Sequence, residues 1–121
     1  MPIELVNEQG KTFVSDEVIA TLAGSAALDC YGLVGMASRK QLKDGIAEIL
    51  RRENLKRGVV VRRENHDLHI DLYIIVSYGT KISEVAHNIQ TKVKYTLNEI
   101  VGLYVDYVNV IVQGVRVSQE R

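Results

Sequence analysis

Asp67, His69 and Asp71 bring this chain nearest to a metal site. Side chains two apart on a strand share a face. An imidazole between two carboxylates is a donor set that a divalent cation accepts. His66 stands three residues from His69 and points to the opposite face, so the two cannot chelate together. Nothing else nearby would supply an activated water, and a solvated polar strand face is the simpler reading. Cys30 is the single cysteine. A nucleophilic thiol needs a base and a lowered pKa. No histidine neighbours Cys30 in sequence, so burial as a small hydrophobe is expected. His87 falls on the polar side of a long helical pattern and is expected to be exposed. No nucleophile–base pair, phosphate-binding glycine loop or cysteine–histidine metal frame appears, so no catalytic residue, cofactor or metal is assigned and an interaction module is favoured over an enzyme.

The second candidate is Gly32-Leu33-Val34-Gly35. A Gly-x-x-Gly loop between helices is how KH domains clamp a nucleotide backbone. An RNA-binding module of that kind is the alternative function. Its chemistry fits poorly, because Leu33 and Val34 are apolar where such loops carry basic or polar residues. The chain has 15 basic and 15 acidic side chains and lacks the electrostatic footprint of a nucleic-acid binder. A tight interhelical turn, with its apolar pair tucked into the core or meeting a protein partner, is expected instead. The basic residues Arg51, Arg52, Lys56, Arg57, Arg62 and Arg63 are a candidate phosphate or anionic-lipid patch. Glu48, Glu53 and Glu64 interleave with them, which favours a solvated charged face.

Elements at definite positions must carry these residues. Ile3 to Val14 reads as a short strand or hairpin-like turn, broken at Asn7 to Gly10. Ser15 is an N-cap candidate, with Asp16 and Glu17 in the first turn that follows. Val18, Ile19, Leu22, Ala23, Ala26 and Ala27 recur at helical spacing up to about Asp29 or Cys30. Ala20, Ala23, Gly24 and Ala27 form a small-residue flank for close packing. Leu42, Ile46, Ile49 and Leu50 mark a second helix after the glycine loop. Residues 58–64 and 67–78 read as an antiparallel hairpin turning at Asn65-His66. In it Leu68, Ile70, Leu72, Ile74 and Val76 face one way and Asp67, His69, Asp71, Tyr73, Ile75 and Ser77 the other. Ile82 to Ile100 is a long amphipathic helix stopped by Gly102. Leu103 to Val117 alternates again.

The predicted order is β-α-α-β-β-α-β, with the glycine loop between the first two helices. The predicted class is α+β, one domain over 1–121, with helices on one face of a mostly antiparallel sheet. The outward sheet face would carry Tyr73 and Ile75 of the hairpin and Tyr107, Asn109, Ile111 and Gln113 of the last strand, with Tyr73, Ile75, Tyr107 and Ile111 the candidate contacts. They either mark a partner surface or lie under the chain's own N-terminal segment. No stretch is long and apolar enough to span a bilayer. No signal peptide is expected from Met1 to Glu8, and a lone cysteine fits a reducing cytoplasm.

Several segments together resemble the alkaline-shock-protein (general stress protein) family, in particular its YloU-like branch. They are Ser15-Asp16-Glu17-Val18-Ile19-Ala20, Tyr31-Gly32-Leu33-Val34-Gly35-Met36 and Leu42-Lys43-Asp44-Gly45. Asp71-Leu72-Tyr73-Ile74-Ile75-Val76 with Tyr78-Gly79, Val85-Ala86-His87-Asn88-Ile89-Gln90, and Val108 to Val115 complete the set. The resemblance implies a small cytoplasmic protein of Gram-positive bacteria, non-enzymatic and linked to alkaline or cell-envelope stress. It implies protein partners, among them a membrane-anchored protein or a dihydroxyacetone-kinase-like protein, with a link to fatty-acid phosphorylation. It also implies self-association into a homo-oligomer and membrane association through a partner rather than by insertion. It carries no catalytic residues.

Overall fold

A computed structural model describes residues 3–38, 50 and 52–117, without the side chains of 52 and 53. The chain opens with an antiparallel hairpin, β1 (Ile3–Asn7) and β2 (Gly10–Val14). The Asn7 side-chain oxygen closes its turn, accepting from the N–H groups of Gln9 (2.8 Å) and Gly10 (3.1 Å). Helix α1 (Asp16–Leu28) starts where the capping chemistry predicts. Ser15 Oγ accepts from the Val18 N–H at 3.2 Å, and Asp16 and Glu17 meet the positive end of the helix dipole.

The segment after α1 departs from expectation. Leu33–Met36 forms a strand, β3, rather than an interhelical turn. The predicted order therefore changes: the first strand becomes a hairpin, and a strand enters at 33–36. The proposed second helix over Leu42 to Ile49 lies outside the described residues; Leu50 is described and buried. A kinked 3₁₀ segment, Arg52–Gly58, leads into β4 (Val59–Glu64). The two-residue turn Asn65-His66, both with positive φ (52° and 72°), connects β4 to β5 (Asp67–Ser77). That geometry is the hairpin turn whose twist matches its strands. Helix α2 (Ile82–Val101) ends at Gly102, whose left-handed φ of 80° lets its N–H reach the Leu97 and Asn98 carbonyls. Strand β6 (Tyr107–Arg116) completes the chain.

The long strand β5 organises the sheet. β4 and β3 lie end to end along one edge of β5, both antiparallel to it. β6 runs along the other edge, parallel to β5, because α2 carries the chain back across the sheet. The class is α+β with mostly antiparallel pairing, as predicted. Leu68, Ile70, Leu72, Ile74 and Val76 of β5 join Ile19, Ala23 and Ala27 of α1 and Val85, Ile89, Val93 and Leu97 of α2 in one buried cluster. Both helices thus cover the same face. The small-residue flank of α1 works as expected. A Cβ built on Gly24 would stand only 3.2 Å from Leu55 Cβ, so the 3₁₀ segment packs almost directly on the helix backbone.

Candidate functional site

Alternation along β4, β5 and β6 gathers a polar cluster on the sheet face opposite the helices. Arg62 pairs in register with His69, and Glu64 with Asp67, across the hairpin. His69 pairs with Tyr107, and Asp71 with Asn109, across the parallel ladder. Asp71 is the hub and the only buried charged residue among those described, 8% exposed. Arg62 donates from Nε to Asp71 Oδ2 (2.6 Å) and from Nη2 to Oδ1 (3.2 Å). Asn109 Nδ2 donates to Asp71 Oδ1 at 2.8 Å and lies 3.3 Å from His69 Nδ1. With Nδ1 accepting, the neutral ring keeps its proton on Nε2, which faces Glu64 Oε1 at 3.7 Å. The His69 and Tyr107 rings stack with centroids 4.8 Å apart.

This wiring decides what the cluster can do. Both Asp71 oxygens are committed to Arg62 and Asn109, and His69 Nδ1 faces an amide. Among the described residues no three His, Cys, Asp or Glu side chains converge as metal ligands. Asp67 pairs in register with Glu64 rather than joining the ion pair. His66, in the turn, and His87, on α2, are exposed. The sequence alone puts Arg62 in the basic patch and Asn109 on the outward face of the last strand, and places neither beside Asp71. The signal was available: Arg62 lies opposite His69 once the turn is fixed at Asn65-His66.

Burial pushes the Asp71 carboxyl up, but the hydrogen bonds from Arg62 and Asn109 and the Arg62 charge outweigh it, and its pKa lies below the ordinary value. The same pairing raises the Arg62 pKa further. A carboxyl depressed in the folded state contributes stability above its unfolded pKa, roughly 3.9, and loses it as pH falls through the folded value. Thermal unfolding from neutral pH downward should therefore show wild-type stability falling below about pH 4. Asp71→Asn should be less stable near neutrality and less sensitive to acid. Parallel acid profiles for the two proteins would dismiss the ion pair as a determinant.

The other candidates separate. Cys30 is half-buried beside the core, its thiol 3.9 Å from the Ala26 carbonyl oxygen, and burial pushes its pKa up. It is a packing residue rather than a reactive thiolate. Three of the basic residues pair with acids: Lys56 with Glu17, Arg63 with Asp16 at 3.1 Å, and Arg62 with Asp71. Arg51 and the Arg52 side chain lie outside the described residues. The first-turn acids of α1 thus serve the helix dipole and hold the 3₁₀ segment and β4. A cleft of about 460 Å³ lies between Ile3, Arg63, His66 and Tyr104. Its Asp106 is committed, with Oδ2 accepting from the Leu68 N–H at 2.7 Å.

The glycine segment is not a clamp. Leu33, Gly35 and Met36 are in register with Val76, Ile75 and Ile74, so the backbone that would meet phosphates is committed to a ladder. Gly32 turns the chain into this strand with φ 91°, and its carbonyl accepts from the Ser77 N–H at 2.9 Å. Leu33 packs against the core, whereas Val34 faces solvent. The Tyr78 N–H donates to the Arg116 carbonyl at 2.9 Å. Together these bonds bring exposed Tyr31, Val34, Tyr78, Ile82 and Val117 to one end of the sheet.

Of the sheet-face candidates, Tyr107 is exposed, Tyr73 and Ile111 are half-buried, and Ile75 is buried at 2% exposure. Ile75 is therefore not a surface contact. The N-terminal hairpin is not shown as their cover, since Ile3 and Val14 pack on the helix-side core.

The alkaline shock protein 23 family, described by a cell envelope-related function, matches residues 4–117. YloU of Bacillus subtilis (strain 168) is 66% identical over 118 residues, covering 98% of each chain. Spy1614 of Streptococcus pyogenes serotype M6 is 43% identical over 120 residues, covering 99% of each. YqhY of Bacillus subtilis is 30% identical over 107 residues, covering 88% of this chain and 78% of the relative. No solved structure matches the chain.

Proposed function

This chain belongs to the alkaline shock protein 23 family, whose function is cell envelope-related, and from that premise we propose that it is a non-enzymatic, cytoplasmic envelope-stress protein acting through protein–protein contacts and as a homo-oligomer. The observation that carries this reading is the apolar end of the sheet. Tyr31 is 85% exposed and Tyr78 is 71% exposed, with Val34 and Ile82 also open. Exposed apolar surface gathered in one place favours a partner over bulk water. The turn beneath it is held by hydrogen bonds of Gly32 and Tyr78, so the surface is preorganised. The commitment of both Asp71 oxygens to Arg62 and Asn109 also supports a structural rather than chemical role for the polar cluster. No described helix is long and apolar enough to cross a membrane. An envelope role would then run through a membrane-anchored protein partner.

Capture of partners from the membrane and cytosolic fractions of the native cell tests this. Wild-type protein should retain a defined protein partner, and Val34→Asp and Tyr78→Asp should lose it while keeping the wild-type unfolding midpoint. Leu33→Asp is unsuitable, because Leu33 packs on the core. Equal retention by wild type and both variants would overturn the assignment to this surface.

A further inference from the structure

We propose that the outer edge of β6 pairs antiparallel with β6 of a second copy of this chain, joining two four-stranded sheets into one. The inference rests on the reading that the protein acts through protein contacts and as a homo-oligomer, and it names the surface. β6 is the last strand of its sheet, bonded to β5 on one side and to no other strand among the described residues. The Asp106 N–H donates to the Leu68 carbonyl, and the Arg116 carbonyl accepts from Tyr78. In a parallel ladder, alternate residues turn their N–H and C=O groups to the neighbour. The Tyr73 carbonyl and the Ser77 N–H of β5 point to the β3 edge, whereas Leu68 and Tyr78 bond on the β6 side, so β5 turns its even-numbered residues to β6. In the register of Ile70 with Val108, Tyr107, Asn109 and Ile111 therefore bond inward, and Val108, Val110 and Val112 turn their groups outward.

Edge strands are normally protected by charge, proline, a short length or a cover. β6 has ten residues and, from Tyr107 to Val115, neither lysine, arginine, aspartate, glutamate nor proline. The contrast with β4 is direct, since β4 carries Arg62, Arg63 and Glu64. A second observation agrees. Val110 and Val112 lie on the helix-covered side yet stay only half-buried, because no strand among the described residues flanks them there.

A second copy of β6 is the occupant that fits both. Any antiparallel register centred near Val110 sets valine against valine on the helix side, since Val108, Val110 and Val112 alternate along it. It opposes no like charges, because the segment has none. The balanced net charge of the chain adds no global repulsion between copies. A two-fold axis makes such a contact self-complementary and closed.

Sedimentation over a concentration series tests the proposal with two variants. Val110→Pro removes an outward N–H and leaves the inward ladder in place, as proline on an open edge does. Ile111→Lys adds the missing edge charge. Wild type should dimerise, and both variants should associate at least tenfold more weakly, with Ile111→Lys keeping the wild-type unfolding midpoint. If Val110→Pro does not fold, Ile111→Lys decides. Undiminished association of a folded Ile111→Lys would overturn the edge contact alone. A monomeric wild type at every concentration would overturn the edge contact and the homo-oligomer together.

Discussion

Alanine at position 58 is expected to destabilise the fold by about 3 kcal/mol, the upper part of the usual range for overpacking. The cause is the way two strands share one edge of β5. β3 ends where the Ala37 N–H donates to the Tyr73 carbonyl at 2.8 Å, and β4 begins with Val59 opposite Leu72. Gly58 sits at that joint. A Cβ there would stand 2.5 Å from the Ala37 carbonyl oxygen and 3.2 Å from Leu50 Cδ1. The oxygen belongs to backbone held in the sheet and cannot swing aside. Either β3 separates from β5 or β4 shifts outward. A fall in thermal midpoint of roughly 10 °C would accompany that loss in a domain of this size. An unchanged midpoint would show that the joint is slack.

Gly32→Ala is expected to cost about 2–4 kcal/mol, from backbone strain and collision acting together. Its φ of 91° disfavours any side chain, and an added Cβ would stand 2.7 Å from Val85 Cγ2 on α2. Valine is stiff at χ1 and cannot turn away freely. Gly79→Ala separates the two causes. Gly79 has φ 93° but nothing within 4 Å of its built Cβ, so that variant carries the strain alone. The difference between the two variants measures the collision, and adding Val85→Ala to Gly32→Ala should restore part of it. If Gly32→Ala and Gly79→Ala cost the same, α2 does not press on this turn. The effect bears on function because Gly32 carries exposed Tyr31 and leads into Val34, both on the proposed partner surface.

The long, strongly patterned elements were legible from residue order. Ser15 with Asp16 and Glu17 announced α1, the alternation of Asp67 to Ser77 announced β5, and Gly102 announced the end of α2. β3 was not legible. Four residues containing a glycine hold too little alternation to separate a strand from a turn, and only the edge offered by β5 makes them extend. The polar cluster was half legible. Spacing put His69 and Asp71 on one face, but spacing along one strand cannot identify residues on its neighbours. Arg62 and Asn109 entered only with the register, and they turn a possible metal donor set into a closed ion pair. The sheet-face set divided for the same reason, since Ile75 shares its face with exposed Tyr107 yet is buried.

Residue order alone therefore determined what local periodicity and capping encode: the class, both described helices, the β4–β5 hairpin and the face each strand turns to the core. The resemblance carried by its motifs was also there to read, and the family match agrees with it. Tertiary structure alone decided which strands became neighbours, because partner choice depends on contacts far apart in the chain. It put β3 and β4 on one edge of β5, closed the Arg62–Asp71–Asn109 network, and left β6 with an uncharged outer edge.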